Sequence, residues 1–110
     1  HINNPVKIDK SSSRPAGRFI NTKLGLIRPA QDCSSTYGSN IALCLVESIS
    51  DTAYSEKIVC RLYPDQIYPD GLHTINVNEG MLVFDGMRYV LHPFALLLKK
   101  ISGIGMTYRP

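Results

Sequence analysis

Residues 41–46 are Ile-Ala-Leu-Cys-Leu-Val, a run that is apolar on both sides of any strand built from it. Side chains alternate across a strand, so Ile41, Leu43 and Leu45 face one way and Ala42, Cys44 and Val46 the other. Such a strand is stable only where both faces are covered. The pattern predicts an inner strand over 41–48 of a layered β-structure. With 110 residues the chain forms at most one domain around it.

Turn signals recur on either side at spacings near ten residues. Segments 17–20 and 24–30 predict a hairpin through Asn21-Thr22-Lys23, followed by a polar loop from Gln31 to Asn40. Asp51-Thr52-Ala53 turns the chain into a half-alternating strand over 54–63, and 64–71 is a second loop rich in Pro and Asp. Strands are expected at 73–77, 81–84, 88–91 and 94–101. Asn78-Glu79-Gly80 marks a turn, and Asp85-Gly86 is the strongest short hairpin signal in the chain. Ala95 and three leucines are compatible with helix at 94–100, but His92-Pro93 before and Gly103 and Gly105 after favour strand.

The fold class is therefore all-β, with a sandwich, barrel or propeller pattern. The first four strands form an antiparallel four-stranded meander over about 14–63, the unit of one propeller blade. The next four form a second over about 72–101, and 102–110 is a tail. Identity between the halves is negligible, so the repeat is architectural only. Two blades cannot close a ring, and a propeller reading makes the segment 1–101 part of something larger.

Composition narrows the function classes. An apolar fraction of 44% is that of an ordered globular chain. No apolar run approaches the ~20 residues of a membrane helix. The polar first ten residues lead into no signal-like apolar stretch, so a cytoplasmic location is expected. Cys33, Cys44 and Cys60 are odd in number and show no C-x-x-C spacing. Reduced thiols are expected, with Cys44 and Cys60 on core strands and no metal or other cofactor. Charge is uneven: residues 1–30 carry six Lys/Arg against one Asp, and the remainder six against eight. That basic third either attracts an anionic partner or forms a solvated surface. Phe19 is its one aromatic, so no base-stacking platform for nucleic acid is evident.

Two Arg-Pro steps mark a polar site. Proline holds the preceding arginine extended and removes the next ladder donor, which suits strand ends that line a cleft. Arg14 and Arg28 either fork onto a carboxylate or phosphate or anchor loop carbonyls. Gln31 and Asp32 either hydrogen-bond a sugar diol or, for Asp32, cap the turn at Ser34-Ser35. Tyr37 either stacks on a sugar face or packs its loop. His73, beside Thr74, is either a general acid/base, a ligand donor or a satisfied strand histidine. Arg14, Arg28, Gln31, Asp32 and His73 are expected to converge on one polar mouth. Asp32 and His73 are the candidates for any catalytic role. No second carboxylate has a spacing that pairs it with Asp32, and neither a nucleophile elbow nor a phosphate-binding glycine loop is present.

In order along the chain stand Asn4-Pro5-Val6-Lys7, Ser13-Arg14-Pro15-Ala16-Gly17-Arg18, Arg28-Pro29-Ala30-Gln31-Asp32-Cys33 with Tyr37-Gly38, and Gly71-x-His73-Thr74-x-Asn76 ending in Asp85-Gly86. Over residues 1–101 this set resembles the carboxy-terminal blades of the propeller domain named after the glucosamine inositolphosphorylceramide transferases. The resemblance implies a five-bladed propeller akin to those of glycoside hydrolases, joined elsewhere to a glycosyltransferase-like or formyltransferase-like domain. It implies a sugar or sugar-phosphate ligand and the remaining blades as partners. The chain is accordingly expected to be a carbohydrate-recognition segment of a larger glycan-modifying protein, not catalytic by itself. The alternative is a stand-alone β-domain whose basic first third binds an anionic partner.

Overall fold

The computed structural model describes residues 1–90, and every element within them is a β-strand. The strands are β1 (Arg14–Pro15), β2 (Ile20–Thr22), β3 (Gly25–Asp32), β4 (Asn40–Ile49), β5 (Tyr54–Leu62), β6 (Gly71–Asn78) and β7 (Met81–Met87). The first five make one antiparallel sheet in which β1 and β2 share one edge of β3, and β4 and β5 follow in sequence order. β6 and β7 make a separate antiparallel pair. Among the described residues no helix is present, the sheets close into neither a barrel nor a ring, and no helix is long and apolar enough to cross a membrane.

The two-sided strand lies where its composition requires. β4 runs between β3 and β5, and Ile41, Ala42 and Cys44 are each fully buried. On one face Ile41 packs with Ala16, Leu72 and Ile75, and Leu43 and Leu62 lean on the same cluster. The β6–β7 pair thus covers that face. Its docking is also polar: Leu72 N–H bonds to Gly38 O at 2.8 Å and Ile75 N–H to Ala16 O at 2.7 Å. On the other face Ala30, Ala42 and Cys44 form a second small cluster.

Residues 7–13 lie across this second face. Lys7 reaches Glu56 on β5, the Ser12 carbonyl accepts from the Arg28 guanidinium on β3, and Cys33 N–H bonds to Lys10 O at 2.9 Å. Ser12 is fully buried as a result. Within the segment, Asp9 draws its serines inward, accepting from Ser11 N–H at 2.8 Å, Ser11 Oγ at 2.9 Å and Ser12 Oγ.

Two expected features are corrected. Asp85-Gly86 does not turn the chain, because β7 continues through both residues to Met87. The turn is Glu79-Gly80, where positive φ values of 49° and 81° give the primed geometry that strand twist favours. Asp85 instead faces a bulge in β6, where His73 is the extra residue between the pairs Leu72↔Gly86 and Thr74↔Asp85. Gly86 admits the Tyr68 side chain, since a Cβ there would lie 2.6 Å from Tyr68 Cβ. The second correction concerns Cys60, which lies on β5 but is exposed.

Elsewhere the boundaries shift by a few residues. Gln31 and Asp32 end β3 rather than opening the loop, and Arg88, Tyr89 and Val90 carry no strand. The strand expected over 94–101 and the tail over 102–110 lie outside the described residues.

Candidate functional site

Three of the seven candidate residues meet in one aromatic and cationic row. Arg14 on β1 lays its guanidinium 4.7 Å from the centroid of Tyr37 and donates from Nη2 to Tyr37 Oη at 3.2 Å. The Tyr37 and His73 rings stand 5.1 Å apart, tilted by 49°. His73 Nδ1 in turn lies 3.5 Å from Asp85 Oδ2. The row exists because the β3–β4 loop and the β6 bulge meet. Gly38, at φ +63°, lets the imidazole lie against its Cα, for a Cβ there would sit 2.0 Å from His73 Cδ2.

Asp85 fixes the far end of the row. Its Oδ1 accepts the bulge N–H groups of His73 and Thr74, and the Thr74 hydroxyl at 3.1 Å. Thr74 is thereby tied to the bulge. Burial pushes the Asp85 carboxyl up, but the bonds from Thr74 and the nearby His73 hold it below the usual carboxylate range. His73 Nε2 is buried and has no hydrogen-bond partner.

Arg28 belongs to a different centre. It lies on the face of β3 opposite to Gln31, the cross-strand partner of Arg14. Its guanidinium grips the Glu56 carboxylate side-on, Nε to Oε2 at 2.7 Å and Nη2 to Oε1 at 2.5 Å. Lys7 Nζ at 2.6 Å and Tyr54 Oη at 2.6 Å complete the shell of Glu56, whose side chain is 2% exposed. Burial pushes the Glu56 carboxyl up, but the bonds from Arg28, Lys7 and Tyr54 outweigh it and bring it down to about 2. Burial and the Glu56 carboxylate push the Tyr54 phenol up to about 12.

Asp32 shares that second face and is similarly engaged. Its carboxylate accepts from Arg61 Nη1 at 2.6 Å, Asn40 Nδ2 at 3.3 Å and Ser34 N–H at 2.9 Å. Burial pushes it up, while Ser34, Asn40 and Arg61 hold it below the ordinary range. Gln31 is buried at the end of β3, 3.8 Å from the Cys33 thiol. The five residues expected at one mouth therefore divide: Arg14 and His73 share the Tyr37 row, and Arg28 and Asp32 close ion clusters on the other face of the sheet. Residues that were not sequence candidates for the site, Glu56, Tyr54, Arg61 and Asp85, supply the partners. No cluster of His, Cys, Asp and Glu able to hold a metal occurs among the described residues.

Beside the row opens a cleft of about 480 Å³, lined by Lys7, Ile8, Asp9, Lys10, Ser13, Arg14, Cys33 and Tyr37. Three cations and one carboxylate border it, with Tyr37 at 55% exposure presenting ring surface. A flat π-surface beside fork donors and an ammonium suits a hydroxyl-rich or anionic ligand.

The chain is 33% identical over 91 residues to the glucosamine inositolphosphorylceramide transferase 1 of Oryza sativa subsp. indica, and equally to its counterpart in subsp. japonica. The match takes in 81% of this chain and 11% of each rice protein. It places the chain at a distant relationship to those transferases, and the chain spans about a tenth of their length. No family model and no solved structure matches.

Proposed function

We propose that this chain is a carbohydrate-recognition segment of a larger glycan-modifying protein, with Arg14, Tyr37, His73 and Thr74 on the recognition side. The observation that carries the reading is the exposed Tyr37 ring, backed by Arg14 and flanked by His73 at the rim of an open cleft. The distant relation to proteins named glucosamine inositolphosphorylceramide transferase 1 supports a glycan-related role. Asp32 and Arg28 are engaged by Arg61 and Glu56, and we assign them to the fold rather than to the ligand. Any glycosyl- or formyl-transfer belongs to other parts of the larger protein.

A four-strand-wide sheet with a following hairpin docked on its face is compatible with one propeller blade and the inner strands of the next, and this supports the architectural reading. The architectural half of the proposal rests on that order. The stand-alone alternative loses support because Lys7 and Arg28, two of the six cations in the basic third, are already bound by Glu56.

Titration of the isotope-labelled chain with glucose, N-acetylglucosamine and myo-inositol tests the reading. Shifts confined to Tyr37, His73 and their loop, abolished by Tyr37→Ala, are expected. Shifts that persist in Tyr37→Ala, or none with any sugar, overturn it.

A further inference from the structure

A second cleft, which shares no residue with the one beside Tyr37, opens between the β5–β6 loop and the β6–β7 pair. Its volume of about 220 Å³ is below the ~300–1,000 Å³ of pockets that enclose drug-sized ligands, so it admits a head group rather than an oligosaccharide. Three aromatic residues line it, Tyr63, Tyr68 and Phe84, over an apolar floor that includes Leu72 and Ile75. All three retain exposed surface, whereas Leu72 and Ile75 are buried. Asp65 is the one charged residue in the lining. Its Oδ1 accepts Ile67 N–H at 2.8 Å and Tyr68 N–H at 2.7 Å, an Asx turn that fixes the loop. Tyr68 is held there against Gly86, where a Cβ would lie 2.6 Å from Tyr68 Cβ. Asp65 Oδ2 accepts no hydrogen bond, and Asp65 forms no ion pair among the described residues.

A carboxylate without a counter-charge, beside low-dielectric aromatic walls, selects a cation over an anion. A strongly hydrated cation gains little from an apolar floor. A methylated ammonium group has the matching surface, because its charge is spread over methyls that pack on aromatic faces and aliphatic side chains. We propose that this cleft binds a methylated ammonium group, with Tyr63, Tyr68 and Phe84 around the methyls and Asp65 supplying the counter-charge. The site is separate from the Tyr37 cleft, and it stands or falls independently of the carbohydrate reading.

Titration of the whole isotope-labelled chain with choline, ethanolamine and 3,3-dimethylbutanol tests it. The butanol has the shape of choline without the charge, and ethanolamine has the charge without the methyls. Choline is expected to bind at least about tenfold more tightly than either, with resonance shifts at Tyr63, Tyr68 and Phe84. Asp65→Asn keeps an acceptor oxygen for the Ile67 and Tyr68 N–H groups. It should erase most of the preference for choline over the neutral isostere with the melting temperature unchanged. Tyr63→Ala, at an exposed residue, should weaken choline severalfold. Equal binding of choline and the neutral isostere leaves only an apolar cleft and overturns the site. A preference for ethanolamine overturns it too, as does choline binding that survives Asp65→Asn, or no binding of any of the three. Phosphatidylcholine vesicles separate a lipid headgroup from a soluble cation, and Asp65-dependent binding of either supports the site.

Discussion

Arg28 and Glu56 are joined by two parallel hydrogen bonds although they stand on β3 and β5, with β4 between them. The pair spans the whole inner strand, and Lys7 and Tyr54 complete the bonds to Glu56. Removing one member leaves a charge without its partner in a site that is almost dry. Glu56→Gln is expected to lower unfolding free energy by about 3–5 kcal/mol, as for other broken buried pairs. Urea unfolding of the two proteins side by side measures it, and a change under ~1 kcal/mol contradicts the role assigned to the pair.

Acid should act through the same centre. The Glu56 carboxyl falls from an ordinary 4.5 to about 2 on folding, and the Asp9 carboxyl, held chiefly by the Ser12 and Ser11 bonds, from 3.8 to about 2. Both groups bind protons more weakly in the folded protein, so their stabilisation is fully present above pH ~4.5 and is lost as pH falls toward 2. Tyr54 behaves in the opposite sense. Its folded value near 12 lies above the ordinary 10, so its share is present below pH 10 and is lost as pH rises through 12. Stability measured by denaturant between pH 2 and 6 should fall on the acid side, and the fall should flatten in Glu56→Gln.

Gly38→Ala is predicted to disrupt the row without touching a charge. The new methyl meets His73 at 2.0 Å and the residue must hold φ +63°. A loss of roughly 1–3 kcal/mol follows from overpacking and backbone strain. Thermal unfolding gives the stability loss, and movement of the His73 ring resonances locates it.

Thiol reactivity should rank by exposure. Cys60 is expected to alkylate first, Cys33 next, and Cys44 only on unfolding, since burial and Glu56 push the Cys44 thiol up. Timed alkylation without reductant, read by mass spectrometry, should give three modified cysteines in the unfolded chain. A stable disulfide between any two contradicts the free thiols of the fold.

Local patterns carried much of the architecture. The two-sided run Ile41–Val46, the turn at 51–53 and the turn at Glu79-Gly80 each state their geometry within a few residues, and the strands follow from them. Asp85-Gly86 misled because the same dipeptide serves a tight turn and, as here, a bulge beside an incoming tyrosine. The site was legible where its members carry their own oddity, as Arg14 before Pro15 and Tyr37 before Gly38 do. Arg28 before Pro29 carries the same oddity, but its acceptor lies 28 residues away on β5, as the Arg61 donor to Asp32 lies 29 away. No spacing rule reaches that far. The one available signal was the charge imbalance itself, since a basic first third and an acidic remainder are complementary and Lys7 and Arg28 meet Glu56 across that divide.

The belt of residues 7–13 also changes where the unit can be cut. Strand content places the first boundary at Arg14, and a shortened version starting there retains all seven strands on paper. It would nonetheless strip Lys7 from Glu56, withdraw the Ser12 carbonyl from Arg28 and uncover Ala30, Ala42 and Cys44. The belt functions as an additional layer made of loop, and a design that trims to the sheet removes half of what keeps β4 dry.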